Sequence, residues 1–345
     1  MNSAKTNSKV LKESKNKIRV EFERTSRWER FKTKYLSMHF ATTVIWKLFR
    51  YVILIGMCYI ILNPWFSIIT ESFMSVEDFA DVTVNFVPKH FTIDTYKALI
   101  IENNYLEAVL NTGLLSIVCA LLQTFVCSLV GYGFAKYKFK GSGILFTFVL
   151  ITMMVPTQTI KYALFLQFKN FDILGIFGLL GLEKVSLLNT MYPFIILSLT
   201  GIGLKNGLYI FMMRQFYRGV PDELEESAYI DGSSVTRTFF KIILPISIPM
   251  MITIFVFAFS WTWTDNFYST TFYTNNQIVQ TLAYFSQDDP ESLRTLIKES
   301  GAAGILYQPT IKNTCAILVG FPLIIIYLFC QRYLIQGIER SGITG

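Results

Sequence analysis

The sequence predicts an all-α, polytopic membrane protein with six transmembrane helices. Of its 345 residues, 52% are hydrophobic and 16% are charged, and the mean hydropathy is +0.43. This balance is typical of a membrane protein and excludes an ordinary soluble domain. Six apolar segments have the length of about 20 residues that a helix needs to cross a bilayer, and the segments between them alternate in charge.

The first 46 residues are predicted to be a basic N-terminal extension of a single transmembrane domain, 47–345. They carry eleven Lys or Arg residues and four Glu residues. They lack the short apolar core and the cleavage site of a signal peptide. We expect the extension to lie against the anionic inner leaflet, where each basic residue contributes about 1 kcal/mol, and we expect no nucleic-acid partner.

The six predicted spans contain prolines and small residues as well as apolar ones. They cover residues 47–69, 108–134, 142–166, 187–212, 242–263 and 313–333. Pro156 and Pro193 lie inside the third and fourth spans, and prolines are tolerated in membrane helices where neighbours satisfy the freed carbonyls. Gly131 and Gly133 in the second span predict close packing against another helix.

The charge of the loops predicts the orientation of the chain. Residues 71–102 hold six acidic residues and two lysines, and residues 264–312 hold five acidic and three basic residues. The basic residues of the other segments include Lys136, Lys138, Lys140, Arg214, Arg218, Arg332 and Arg340. By the positive-inside rule, both termini and the loops near Lys136 and Arg218 are cytoplasmic.

A polar segment, 220–249, interrupts the apolar pattern on the predicted cytoplasmic side. It reads VPDELEESAYIDGSSVTRTFFKIILPISIP. Asp222 and Glu225 have the spacing of a capping box, which predicts a helix that begins there. The helix is expected to end at Gly232, because glycine readily adopts the left-handed conformation of a C-cap.

This segment resembles the EAA loop of ABC-importer permeases, whose pattern is Glu-Ala-Ala, x3, Gly, x9, Ile, x, Leu-Pro. Glu226-Ser227-Ala228, Gly232, Ile242 and Leu244-Pro245 match it, with Ser227 as the one departure. The resemblance implies the transmembrane-domain fold of a type I ABC importer and a cytoplasmic coupling helix, in 220–245, that docks on an ATPase subunit. The implied coupling residues are Leu224, Glu226, Ser227, Ala228, Asp231, Gly232, Leu244 and Pro245.

Three further stretches resemble the second permease subunit of carbohydrate importers of the maltose type. They are Asn111-Thr112, Trp263-Thr264-Asp265 and the run from Gln331 to Ile338. Thr264 departs from the family's Asn. The resemblance covers about residues 45–345, and it implies that Gln331, Arg332 and Gly337 lie in a tail that reaches the ATPase interface.

The same resemblance implies a function and a set of partners. The chain would translocate a sugar or oligosaccharide by alternating access in a bacterial plasma membrane. Its partners would be a second permease subunit, two ATP-binding subunits and an extracytoplasmic solute-binding protein, which the long outer loop 272–311 is expected to contact. The chain has no phosphate-binding Gly-x-x-x-x-Gly-Lys motif, so ATP and Mg would be bound by the partner ATPase.

Candidate cargo contacts are uncharged polar and aromatic groups near the ends of the spans. Aromatic rings and amide or carboxylate groups suit a sugar, which has apolar faces and many hydroxyls. The candidates are Asn111, Gln158, Asn189, Trp263, Asp265 and Asn266. Alternatively, a Trp at the end of a span serves as an interfacial anchor. Lys161 and Lys205 are expected to extend to the membrane interface.

Two other functions remain open, and enzyme activity is not expected. The chain could be a permease of the same superfamily for a peptide, an amino acid or a polyamine. It could also be an ion-coupled secondary carrier, although the spans lack the central charges that such carriers use. His39 and His90 lie in different loops and predict no metal site, and the five cysteines lie in apolar spans as small hydrophobic residues.

Overall fold

The structure is a computed structural model, and its described residues are 28, 38–173, 175–179, 181, 183–274 and 281–342. Of residues 38–41 and 336–342 only the backbone is described. These residues form helices, turns and two isolated β-bridges, Met74 with Phe91 and Phe171 with Val185. The all-α prediction is therefore confirmed.

The helices are numbered in chain order. The first nine are α1 (Met38–Glu71), α2 (Val76–Ala80), α3 (Asp94–Glu102), α4 (Tyr105–Lys136), α5 (Ser142–Thr152), α6 (Thr157–Lys169), α7 (Ile176–Leu179), α8 (Tyr192–Leu199) and α9 (Asn206–Arg218). The others are α10 (Glu223–Ile230), α11 (Val235–Thr238), α12 (Leu244–Ile246), α13 (Ile248–Trp263), α14 (Phe267–Phe272), α15 (Leu282–Phe285), α16 (Glu291–Glu299) and α17 (Gly301–Gly342), with a π-helical turn at Phe239–Ile243.

Contacts divide the chain into two units, residues 1–67 and residues 68–345. The first unit contains most of α1, whose 34 residues make a helix of about 50 Å at 1.5 Å per residue. Its apolar side chains are exposed along its length, as expected for a helix that faces lipid. The predicted extension 1–46 lies mostly outside the described residues, so its boundary stays a prediction.

Helix α4 is the centre of the second unit, and α8, α9 and α13 pack against it. The approach of α4 to α9 is close because Gly131 has no side chain: a Cβ atom there would lie 2.6 Å from the Cβ of Met213. Gly207 allows a similar approach of α9 to α5, since a Cβ there would lie 2.6 Å from Oγ1 of Thr152. The close packing predicted for the second span is thus present at Gly131.

The described residues do not contain six continuous spans. Three helices are long and apolar enough to cross a membrane: Thr42–Glu71, Tyr105–Lys136 and Gly301–Ile335. Two further spans are bent pairs, Ser142–Thr152 with Thr157–Lys169 at 99° and Val235–Ile246 with Ile248–Trp263 at 74°. Counting each pair once gives five spans, and the prediction of six helices is not confirmed.

The predicted fourth span, 187–212, is broken into α8 and α9. Residues 200–205 form a turn in which Gly201 has a φ of +71°, a backbone conformation that glycine adopts without strain. The amide of Gly203 bonds to the carbonyl of Leu197 at 3.1 Å, and the amide of Asn206 bonds to that of Gly203 at 2.9 Å. These bonds close the turn, so the helix is interrupted where a continuous span was expected.

The other two bends occur at prolines. Pro156 is the residue before α6, and the position before a proline disfavours the helical conformation, so α5 ends at Thr152. Pro245 cannot donate a backbone hydrogen bond, and its ring would clash with the carbonyl four residues earlier. The chain widens there instead, and the amide of Leu244 bonds to the carbonyl of Phe239, five residues back.

The two acidic loops of the sequence fold together. The side chain of Asn103 donates to the carbonyl of Phe285 at 3.2 Å, and Thr95 bonds to Tyr307. Both loops therefore lie at the same end of the second unit.

Within the first loop, burial alone would raise the pKa of Asp78, but hydrogen bonds from the backbone and side chain of His90 outweigh this effect and lower that pKa.

We expect Gly131→Val to destabilise the protein and Gly133→Val to have little effect. Overpacking a close contact costs about 1–3 kcal/mol, whereas a Cβ at Gly133 has no neighbouring atom within 4 Å. Both changes replace Gly by Val in one helix, so their effects on helix propensity cancel in the comparison. The measurement is the melting temperature of the two variants in detergent, and equal melting temperatures would contradict the close packing of α4 on α9.

Candidate coupling surface and central cavity

Helix α10 begins at the predicted position, but the capping box does not form. Asp222 is the N-cap residue and its side chain makes no cap hydrogen bond. Its carboxylate instead accepts a hydrogen bond from Nζ of Lys136 at 2.5 Å. This bond and the lysine charge lower the pKa of Asp222. A hydrogen bond from an ammonium is stronger than one from a neutral amide, which explains why the distant lysine displaces the local cap.

Glu225 is the side chain that anchors α10 to the core, a role that its capping-box spacing did not predict. It is 8% exposed. One of its oxygens accepts from the hydroxyls of Tyr132 at 3.0 Å and Tyr229 at 3.4 Å, and the other lies 3.7 Å from Nζ of Lys136. Lys136 also donates to the carbonyl of Val220 at 2.6 Å. The end of α4 therefore holds both the start and the inner face of α10.

The two faces of α10 have different roles. Glu225 and Ala228, three residues apart, form the buried face. Leu224, Ser227 and Asp231 lie outside this buried face, and all three are exposed. Ile230, a large apolar side chain, is 86% exposed. The outer face thus offers apolar groups beside carboxylates, and Glu226 is exposed at its edge.

The predicted end of α10 at Gly232 is confirmed. Gly232 has a φ of +80°. Its amide bonds to the carbonyl of Tyr229 at 3.0 Å, and the amide of Ser233 bonds to the carbonyl of Ala228 at 2.9 Å. These two bonds define a Schellman motif. The next helix is capped by Ser234, whose hydroxyl accepts from the amide of Arg237.

A chain of hydroxyl groups connects the end of the predicted coupling segment, residues 220–245, to the core. Leu244 is half-buried and Pro245 is exposed. Just beyond them, Ser247 donates to the carbonyl of Leu244 at 2.8 Å and accepts from the hydroxyl of Tyr217 at 3.1 Å. Tyr217 also bonds to Ser128 at 2.7 Å. The segment is thereby linked to α9 and α4.

The predicted tail residues belong to the last part of α17. Gln331 and Arg332 are exposed, and Gln331 donates to the carbonyl of Leu328 at 3.1 Å. Gly337 lies within the helical backbone of α17. Their predicted role at an ATPase interface stays a prediction.

Three of the predicted cargo residues lie together. Trp263, Asp265 and Asn266 line a cavity of about 350 Å³. The ring of Trp263 is buried, and its Nε1 donates to the carbonyl of Val319 at 2.9 Å. Asp265 accepts from the amide of Ser269 at 2.8 Å and so caps α14. Asn266 is exposed and accepts from Gln287 at 3.3 Å.

The other three candidates do not line that cavity. Asn111 is half-buried in α4, and Gln158 is exposed in the first turn of α6. Asn189 has a φ of +60°, and its amide group bonds to the backbone and side chain of Thr274. Asn189 therefore joins the loop before α8 to the end of α14.

A second cavity, of about 270 Å³, lies beside the break between α8 and α9. Its polar lining includes Gln123, Ser198, Lys205, Trp261 and Asp265. Lys205 was expected to extend to the membrane interface, but its Nζ lies 3.9 Å from the ring centroid of Trp261. Lys205 is the last residue of the turn that precedes α9, so the break between α8 and α9 sets the position of its side chain beside Trp261. We call this space the central cavity.

Lys161, also expected to extend to the membrane interface, has a partner within the protein. Its Nζ donates to Oγ1 of Thr270 at 3.2 Å. The lysine therefore joins α6 to α14.

We expect Glu225→Ala to loosen α10, and Glu226→Ala to leave it in place. The first change removes the acceptor of two tyrosine hydroxyls, and hydrogen bonds to charged groups contribute about 1.5–3 kcal/mol. The second removes an exposed side chain. Hydrogen exchange of the backbone amides of residues 225–233 measures the difference, and equal protection in both variants would contradict the anchoring role of Glu225.

Comparison with known proteins agrees with this architecture. Residues 127–340 match the family described as binding-protein-dependent transport system inner membrane component. The galactooligosaccharides transport system permease protein of Bacillus subtilis is 28% identical over 301 residues, which are 86% of this chain and 95% of that protein. The polygalacturonan/rhamnogalacturonan transport system permease protein of the same species is 24% identical over 301 residues, 82% and 92% of the two chains.

A solved structure has the same fold. A chain from the crystal structure of a bacterial ABC transporter involved in the import of the acidic polysaccharide alginate superimposes with a TM-score of 0.64 at 17% identity. The match covers 85% of this chain and 97% of the other. Since the family match spans more than half of the sequence, this multi-pass membrane protein belongs to the inner-membrane components of binding-protein-dependent transport systems.

Proposed function

We propose that this chain is a permease subunit of an ATP-driven importer that carries a sugar or oligosaccharide across a bacterial plasma membrane. Relatives named for galactooligosaccharides and for polygalacturonan favour a carbohydrate cargo over a peptide, an amino acid or a polyamine. The observation that carries the proposal is α10, a short helix with one face anchored in the core and the other exposed in a protein of this family.

The outer face of α10 is the docking surface for the ATPase subunit. Leu224 and Ile230 would enter an apolar groove, and the neighbouring carboxylates of Glu226 and Asp231 would meet basic groups at its rim. Burial of exposed apolar surface contributes roughly 25 cal/mol per Å², so these two side chains account for most of the expected attraction. The charges would set orientation and the choice of partner.

The anchored face of α10 transmits movement of the ATPase subunits to the transmembrane helices. When ATP closes the dimer of ATPase subunits, α10 moves with them. The bonds from Glu225 to Tyr132, and from Ser247 through Tyr217 to Ser128, carry the displacement to α4 and α9. The helices then rock towards the outward-open state, and hydrolysis resets them. ATP and Mg are bound by the partner subunits, and this chain performs no catalysis.

The remaining partners follow from the same scheme. A second permease subunit would complete the translocation path, and the folded acidic loops at the opposite end from α10 would receive the solute-binding protein. The contact of Lys136 with Asp222 puts the lysine loop and the coupling helix at one end of the molecule. That supports the positive-inside assignment of this end to the cytoplasm, where we propose that both termini also lie.

We expect Glu226→Lys to abolish uptake of labelled oligosaccharide while leaving the chain in the membrane. The change reverses a charge at the docking surface but touches no buried contact. Glu183→Lys is the matched control, because Glu183 is an exposed residue between α7 and α8, outside both α10 and the two acidic loops. Normal uptake by the Glu226 variant, or equal loss in both, would refute the docking surface.

We also expect Gly232→Pro to abolish uptake. Proline cannot adopt the positive φ of residue 232 and has no amide to bond to Tyr229. The measurement is uptake together with the amount of ATPase that co-purifies with the variant. Full uptake would show that the turn after α10 has no part in coupling.

The composition of the complex tests the proposal as a whole. The chain is purified in mild detergent from its native membranes, and its companions are identified by mass spectrometry. We expect a second permease, a nucleotide-binding subunit and a solute-binding protein. Recovery of the chain alone, with uptake that survives deletion of the ATPase, would favour an ion-coupled carrier instead.

A further inference from the structure

The central cavity lies beside the non-helical turn of residues 200–205, which we place inside the membrane. Helix α9 runs 13 residues from Asn206 to Arg218, next to the coupling segment, and this places Lys205 about 20 Å along the helix axis from that end. The hydrocarbon core is about 30 Å thick. Non-helical backbone is tolerated at such depth where it lines a cavity, and broken helices mark the binding sites of many transporters.

Lys205 brings a positive charge into this cavity without a paired carboxylate. Its Nζ lies over the face of Trp261, and no carboxylate oxygen of the described residues lies within 4.0 Å of it. Asp265 also lines the cavity, but its oxygens accept from the amides of Tyr268 and Ser269 and from the hydroxyl of Ser269. The ring partly compensates the cation, and an anion would do so more completely.

Two further groups of the lining can bind hydroxyls. Gln123 donates to the hydroxyl of Ser198 at 3.1 Å, which directs an amide to the cavity side of α4. Tyr209 is fully buried and lines the cavity, and its hydroxyl has no hydrogen-bond partner within the described ranges. An unsatisfied buried hydroxyl is costly, so a ligand oxygen that reached it would bind favourably.

We propose that the central cavity is a subsite for a cargo sugar unit that carries a carboxylate, that is, a uronate. Trp261 packs against the apolar face of the sugar ring, and Lys205 turns from the indole to the carboxylate. Gln123 and Tyr209 bind ring hydroxyls. This assignment rests on the proposed function, since it names the substrate class of that transport path.

The size and charge of the cavity favour a single acidic unit over a neutral one. Its volume of about 270 Å³ is just below the range of about 300–1,000 Å³ that ligand pockets span. A neutral sugar would leave the Lys205 ammonium unpaired in a region of low dielectric, where an unpaired charge is costly. A carboxylate supplies both the counter-charge and the hydrogen-bond acceptors that an ammonium requires.

The test uses the complete transporter with its binding protein in proteoliposomes and two matched probes, trigalacturonate and galactotriose. We expect ATP-dependent uptake of trigalacturonate by the unmodified protein. Lys205→Gln should reduce that uptake by about tenfold or more, because a charge-assisted hydrogen bond is lost. Lys205→Arg should retain most of it, and uptake of galactotriose, where present, should change less than about twofold in either variant.

The outcomes of this experiment distinguish failure of the uronate subsite from failure of the proposed sugar import. Uptake of galactotriose without trigalacturonate would overturn the uronate subsite and leave sugar import standing. Absence of ATP-dependent uptake of either probe would count against sugar import itself. Equal loss of both probes in Lys205→Gln would show that Lys205 pairs with a carboxylate of the protein, including one from the second permease, and would overturn the subsite. The melting temperature of each variant controls for misfolding.

Discussion

The structure depends most on one buried cation, the ammonium of Lys136. Its side chain is 8% exposed. Its Nζ donates to the carbonyl of Val220 and the carboxylate of Asp222, and a carboxylate oxygen of Glu225 lies 3.7 Å away. A charge removed from water must be paired and hydrogen-bonded in full. The position of α10 against α4 is therefore fixed by an electrostatic requirement with a defined geometry, which apolar packing alone would not impose.

The rest of the interface between the helices is apolar, and apolar contacts alone would let one helix slide along another. Hydroxyl bonds at Ser128, Tyr217 and Ser247 add direction at the same end of the bundle, since all three side chains are buried and paired. Gly131 brings the α4 and α9 backbones close enough for these bonds to form. Through these bonds, a displacement of residues 220–247 would move both helices together.

The sequence predicts the features whose causes are local. The end of α10 depends on Gly232 and on the hydrogen bonds of the Gly232 and Ser233 amides. A short sequence motif is therefore enough to predict it. The partner of Asp222 lies 86 residues away, so no local pattern could show that a lysine replaces the capping box. The break in the fourth span had a signal, the glycines at 201, 203 and 207, but a hydropathy window averages over it. Trp263 and Asp265 fit a sugar-binding pattern, yet the described side chains bond to the protein itself.

The break between α8 and α9 is the place where the chain departs most from a stable membrane helix. A continuous helix over 187–212 would satisfy its own backbone, whereas the turn at 200–205 interrupts that ladder and leaves Lys205 over an indole ring and Tyr209 without a partner within the described ranges. Departures from local rules that have no compensating gain in stability tend to occur at functional sites. Helix α10 lies at the far end of α9 from this turn, so one helix of 13 residues joins the proposed docking surface to the central cavity. A movement of α10 would therefore reach the cavity as a shift of the Lys205 end of α9, which is where a transporter must change its affinity for cargo.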